Sequence, residues 1–288
     1  MKLIIFIAAL AAAPCHLAAL SPTRSQHAWV AGTGETGAED GPFMVASFDR
    51  PGGILFDRGQ DRLIVADTGN QALRAVDLGH RNSVTTLRIT QSGTGAAFPW
   101  LEPVALAWKV DGRLLYCFDR KKPGVALVDL ASGSAQWLPL PLSVTSRSGT
   151  SFQLAEATAL HAVPGDFGVL ALRGPGLLFF DLPGGRTAVS GLWGLPGGIA
   201  DLGSDTDGLW AISREANLLF RLAPDSAQPG WMDAFPKIVT GTANCPDMVA
   251  DTAVGRAVAN PWAIVKGVSP LKVACNAPAI MAYRNASG

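Results

Sequence analysis

Along residues 31–78 the apolar and polar positions come in short blocks rather than at a helical period. A glycine-rich acidic stretch, AGTGETGAEDG (31–41), leads to three apolar runs: GGILF (52–56), RLIVAD (62–67) and ALRAVDL (72–78). Polar turns divide them, Asp57–Asp61 with Gly59 and then Thr68-Gly69-Asn70. A fourth run, SVTTL (83–87), follows the turn Gly79–Asn82. Short runs rich in Ile, Leu and Val, bounded by Gly, Asp and Asn, read as strands. Four antiparallel strands joined by tight turns make one blade of a β-propeller, provided the pattern recurs.

It recurs. Pro51, Pro103, Pro196 and Pro261 open the innermost strands, and Ala157 fits the same slot. Three residues before each stands Phe48, Trp100, Leu154, Trp193 or Val258; three after stands Ile54, Leu106, Leu160, Ile199 or Ile264. Second strands align as RLIVAD, LLYCFD (114–119), GVLALR (168–173), GLWAIS (208–213) and LKVACN (271–276). Third strands follow as LRAVDL, VALVDL (125–130), LLFFDL (177–182), LLFRL (218–222) and AIMAYR (279–284). Near-continuous apolar runs of this kind belong to strands covered on both faces. The pattern predicts an all-β propeller of four-stranded antiparallel blades, five in number. A sixth blade requires two further strands within Pro224–Gly241 or Leu138–Phe152. Residues 224–236 read as an insertion in blade four, with Lys237–Thr240 as its fourth strand. The chain ends after a third strand and begins with HAWVA (27–31), so that segment is expected to complete the last blade and close the ring.

The order glycine-rich loop, Phe three before Pro, VADTGN, LRAVDL and VTTL resembles an NHL repeat over residues 31–87. The resemblance implies an NHL-type propeller. It implies no single activity, since that family includes adhesion scaffolds, RNA-binding domains, extracellular sensors and amidating lyases.

Composition narrows these choices. Of 288 residues, 48% are hydrophobic and 16% charged, which suits a large core and excludes disorder. Lys2, the apolar run Leu3–Ala13 and small residues up to Ala18 and Ala19 read as a secretory signal peptide over residues 1–19, with a retained membrane anchor as the alternative. Residues 20–288 then form the single propeller domain. Removing Lys2 leaves 22 of the 23 basic residues against 23 acidic ones. A neutral secreted domain offers no electrostatic footprint for nucleic acid. A monomer with an extracellular protein, peptide or glycan partner is expected, without membrane insertion after signal removal.

Three cysteines remain after that cut. Cys245, in the loop entering blade five, and Cys275, ending its second strand, share one face of a propeller, and a secreted context favours a disulfide between them. Cys117, inside an apolar strand, is expected as a buried free thiol. His27, His80 and His161 are scattered over different levels, so they do not assemble the metal site of an amidating lyase. Glu35, Glu39, Asp40 and the segment 247–251 offer oxygen ligands of the calcium type, but their spacing matches no calcium loop. No cofactor is therefore expected, with calcium, on Asp57, Glu102 and Asp201 of the innermost strands, as the alternative. Asn285-Ala286-Ser287 is an N-glycosylation sequon in a eukaryotic context.

The residues that close the second strands carry the remaining chemistry. Asp67, Asp119, Arg173, Ser213 and Asn276 all project from one face around the axis. Asp67 and Asn70 match the VADTGN motif, where Asp and Asn serve the turn by hydrogen bonding to backbone. Arg120 and Arg173 break the repeat pattern and are the stronger ligand candidates, beside Asp67, Asn70, Asp119 and Asn276. The expected function is a binding scaffold. A metal-dependent hydrolase or lyase of the lactonase or amidating-lyase type, working at the central channel, is the alternative.

Overall fold

The computed structural model describes residues 3–6, 27–109, 112–122, 124–145, 151–163, 167–172, 176–181, 186–193, 198–205, 208–213, 215, 218–224, 248–257, 261–265 and 272–275. Among these, the regular elements are strands, apart from single 3-10 turns at Thr68–Asn70 and Leu154–Glu156. The sheets that form blades are antiparallel meanders with the innermost strand first, which is the architecture of a propeller.

Two strands precede the repeats. β1 (Leu3–Phe6) pairs antiparallel with β2 (His27–Ala31). Blade one is β3 (Pro51–Asp57), β4 (Arg62–Asp67), β5 (Ala72–Asp77) and β6 (Ser83–Thr86), hydrogen-bonded in that order. A short β7 (Thr90–Gln91) then runs parallel along the outside of blade two. Blade two consists of β8 (Pro103–Trp108), β9 (Leu114–Asp119), β10 (Gly124–Asp129) and β11 (Ser134–Pro139). A two-stranded hairpin, β12 (Ser143–Thr145) with β13 (Ser151–Gln153), precedes blade three.

Blade three is β14 (Ala159–Val163), β15 (Phe167–Leu172), β16 (Gly176–Asp181) and β17 (Arg186–Trp193). Blade four is β18 (Asp201–Asp205), β19 (Gly208–Ser213), β20 (Leu218–Pro224) and β21 (Met248–Ala257). Their outer strands join, Leu192 and Trp193 of β17 pairing in parallel with Met248 and Val249 of β21. A last antiparallel pair follows, β22 (Pro261–Val265) and β23 (Lys272–Cys275).

Successive innermost strands stand side by side: β3 by β8, β8 by β14, β14 by β18 and β18 by β22. Alternation then explains the unbroken apolar runs. In β4, Ile64 and Ala66 face blade two and pack with Leu106, Leu115 and Cys117. Leu63 and Val65 point the other way, onto Val30, Ala31 and Phe48. In β9, Leu115 and Cys117 face blade one, while Tyr116 and Phe118 meet Leu170, Leu172 and Phe180 of blade three. Each central strand thus buries both of its faces.

Close approach at the hub is specified by glycine. A Cβ on Gly52 would lie 2.7 Å from the Val104 carbonyl oxygen, and one on Gly53 2.9 Å from the Leu106 nitrogen. Hydrogen bonds also cross between blades. Thr68 Oγ1 donates to the Pro103 carbonyl at 2.6 Å, Trp108 Nε1 to Phe56 at 2.8 Å, and Thr158 Oγ1 to Ile199 at 2.9 Å.

The structure corrects several expectations. The outer strand beside β20 is β21, at Met248–Ala257, not Lys237–Thr240. The backbone edge of β20 away from β19 is taken by those ten residues, which leaves no lateral place for another strand there. Residues 237–240 themselves lie outside the described residues. Leu138–Phe152 does hold extra strands, but β12 and β13 form a separate ribbon, packed through Val144 and Phe152 against the core between blades two and three. The innermost strand of blade three starts at Ala159 rather than Ala157, and that of blade four at Asp201, beyond Pro196. His27–Ala31 pairs with Leu3–Phe6, and its expected partner at 279–284 lies outside the described residues.

Candidate binding face

Register places one end of each blade as a common edge. Across blade two, Pro103 stands opposite Asp119, Asp119 opposite Gly124, and Gly124 opposite Pro139. The connection into β8, the turn after β9 and the exit from β11 therefore all emerge on one face. Blade one repeats this, with Pro51 opposite Asp67 and Asp67 opposite Ala72.

On that face, Asp67 sits fully buried at the end of β4. Its carboxylate accepts the Asp49 N–H at 2.8 Å, Asn70 Nδ2 at 2.8 Å and Arg74 at 2.8 Å. Burial pushes the Asp67 carboxyl above its ordinary value, and the bonds from Asn70, the Asp49 N–H and Arg74 pull against that rise. Asn70 also donates to the Gly37 carbonyl at 2.7 Å.

Arg74, in the middle of β5, is the residue that pattern reading passed over. Fully buried, it donates to the carbonyls of Ser47 at 3.0 Å and Glu39 at 2.7 Å, and to Asp40 at 2.7 Å. The guanidinium lies 5.1 Å from the centre of the Phe48 ring. Asp40 in turn accepts the Thr86 N–H at 2.9 Å and its hydroxyl at 3.1 Å. Partial burial pushes Asp40 up, but the bonds from Thr86 and Arg74 outweigh it and hold the carboxyl below its ordinary value. The acidic loop is thus lashed to blade one, and Asp40 is already spoken for as an acceptor. The signal was available: an arginine inside a strand buried on both faces needs partners of opposite charge.

Asp119 holds the equivalent place in blade two by different means. It accepts four backbone N–H groups: Leu101 at 2.8 Å, Glu102 at 3.0 Å, Lys121 at 3.1 Å and Lys122 at 3.2 Å. Arg120, next along, is solvent-facing and lies 3.6 Å from Glu102. Lys122 leans over the Trp137 ring, 5.1 Å from its centre. Arg173, Asn276, Cys245 and Asn285 lie outside the described residues, and with Cys245 so does its pairing with Cys275. Cys117 is a buried free thiol, and burial, then the Asp119 charge, push it well above its ordinary value. It is chemically quiet in the folded state. Among the described residues no group of three or more His, Cys, Asp or Glu side chains is placed to hold a metal ion.

The large hydrophobic side chains exposed among the described residues are Met44 at 70%, Val45 at 54%, Leu101 at 37% and Leu142 at 71%. All four stand on connections that enter innermost strands. Met44 and Val45 precede β3, Leu101 precedes β8, and Leu142 precedes the ribbon that leads to β14.

No family model matches the chain. A stretch of 48 residues is 44% identical to part of the chloroplastic protein SUPPRESSOR OF QUENCHING 1 of Arabidopsis thaliana, covering 17% of this chain and 4% of that protein. Among solved structures, a structural-genomics protein of unknown function from Bacteroides thetaiotaomicron superposes with a TM-score of 0.52 at 16% identity. The overlap is 68% of this chain and 47% of that one. The likeness is one of fold. A virginiamycin B lyase from Staphylococcus aureus, in a catalytically inactive form with quinupristin, overlaps 78% of this chain and 62% of its own at 12% identity, with a TM-score of 0.48. This chain spans about half the length of the Bacteroides protein and a small part of the Arabidopsis one.

Proposed function

We propose that the chain is an exported, NHL-like propeller of five blades that acts as a binding scaffold for an extracellular protein, peptide or glycan. The observation that carries this reading is the placement of Met44, Val45, Leu101 and Leu142 on blade-entry connections. Buried apolar residues cost nothing to explain; large ones exposed on a single set of loops mark an interaction surface. The loops are rigidly held, since Arg74, Asp67 and Asn70 fix residues 37–49 and Asp119 fixes Leu101 and Glu102. A preorganised loop loses little entropy on binding.

Export rests on the signal pattern of residues 1–19. Cleavage there removes β1 and frees one edge of His27–Ala31, which is the edge the last blade requires to close the ring. Selection of displayed peptides against the wild-type protein, followed by rebinding to a Met44→Asp, Leu101→Asp, Leu142→Asp triple variant, tests the scaffold. Selected peptides should lose the triple variant. Peptides that bind both proteins alike would overturn the assignment of this face.

A further inference from the structure

The same face carries a charge pattern that narrows the partner, and the inference rests on the scaffold reading above. At the edge of blade two, three segments emerge on one face. Leu101 lies two residues before β8; Arg120, Lys121 and Lys122 lie in the turn between β9 and β10; Leu142 lies three residues beyond β11, on the way into blade three. An exposed aliphatic residue thus stands on the entry to blade two and another on its exit, with three cations on the turn between β9 and β10.

The acids of this edge are turned inward or paired. Asp119 is fully buried and saturated by the four N–H groups, and Glu102 faces Arg120 at 3.6 Å. The cations are the exposed members, with Lys121 in solvent, Lys122 exposed beside the Trp137 ring and Arg120 half out. The edge is a built platform rather than a floppy loop. The backbone N–H groups of Lys121 and Lys122 are tied to Asp119, and the Arg120 N–H donates to the Glu102 carbonyl at 2.9 Å. Leu142 is fixed through its carbonyl, which accepts the Leu154 N–H at 3.0 Å.

We infer that the edge of blade two binds an extended acidic peptide segment, with an aliphatic side chain at each end seated on Leu101 and Leu142 and carboxylates between them facing Arg120, Lys121 and Lys122. Dimensions set the spacing. Three inter-strand steps from β8 to β11 span about 14 Å, which an extended chain covers in about four residues. The segment is therefore two aliphatic residues about four positions apart, with acidic residues between. Carboxylate contacts to exposed cations supply selectivity and salt dependence more than affinity, and the aliphatic ends supply the anchor.

Fluorescence polarisation with a labelled synthetic peptide of that pattern, two leucines bracketing three glutamates so that both leucines and the central glutamate share one face of the extended chain, tests this. It should bind about tenfold more tightly than the same peptide with lysines for glutamates at about 50 mM salt, and the gap should close at about 500 mM. The double variant Lys121→Glu, Lys122→Glu should reverse the preference, Leu142→Asp should weaken both peptides, and Arg58→Glu, in the turn at the opposite edge, should change neither. Equal binding of the two peptides, no binding of either, or a reversal by Arg58→Glu would overturn the proposal. Sedimentation with phosphatidylserine vesicles that the double variant abolishes, without peptide binding, would assign the edge to a lipid surface instead and also overturn it. The scaffold reading fails separately. Selected peptides that need Met44, Leu101 and Leu142 but lack acids would keep the scaffold and remove the acidic segment.

Discussion

Asp67 and Asp119 stand at the same place in consecutive blades, both fully buried at the end of a second strand. Blade one satisfies its aspartate largely with side chains, Arg74 and Asn70, and one backbone N–H. Blade two uses four backbone N–H groups. The same anchor therefore serves two ends. Blade one gains a charged strut that reaches out to loop 39–47, while blade two gains a compact corner whose basic side chains stay exposed.

Breaking the strut is expected to have the largest effect. Arg74→Ala leaves Asp67 buried without its counter-charge and should cost about 3–5 kcal/mol in chemical denaturation. The double variant Asp67→Asn, Arg74→Met removes both charges and should cost clearly less than the sum of the single changes. Next comes Asp119→Ala, which strands several backbone donors and should cost about 2–3 kcal/mol. Equal sensitivity of the two aspartates to added salt would dissolve the distinction between them. Gly52→Ala, which sets a methyl against the Val104 carbonyl, should cost about 1–3 kcal/mol and leave both corners intact.

The smallest effect is one of pH. Asp40 has a folded value below its unfolded one, so its contribution is full above about 3.9 and disappears as pH falls through the folded value. Asp67 is shifted upward and acts with opposite sign, adding stability as it takes up a proton. Thermal melts of Asp40→Asn from about pH 2 to pH 5 should therefore show a flatter acid limb than wild type. An unchanged slope would mean that Asp40 contributes nothing to the hold on its loop.

Second and third strands were legible because they are apolar on both faces. RLIVAD, LLYCFD and GLWAIS match β4, β9 and β19 residue for residue. Outer strands were less so: SVTT of β6 was read within the run 83–87, but the others were not. SAQWLP and MVADTAVGRA mix polar and apolar residues in sequence, so neither has an apolar run to read. Asp67 and Asn70 were readable as turn residues from their motif, and both do hydrogen-bond within their turn. What held the loop could not be read from spacing, since Arg74 meets Asp40 and Ser47 across 34 and 27 residues. The aliphatic and basic residues of blade two come to one face only when three separate segments are folded together.

Val30, Ala31, Ala46 and Phe48 cover the side of blade one that faces away from blade two. A ring normally leaves its first blade waiting for its last, yet here the leading face already has a lid made from its own upstream chain. During synthesis from the N-terminus the first two blades can therefore consolidate before the rest has emerged. A fragment of residues 27–139 should resist protease under native conditions, whereas one starting at residue 51 should be cut rapidly.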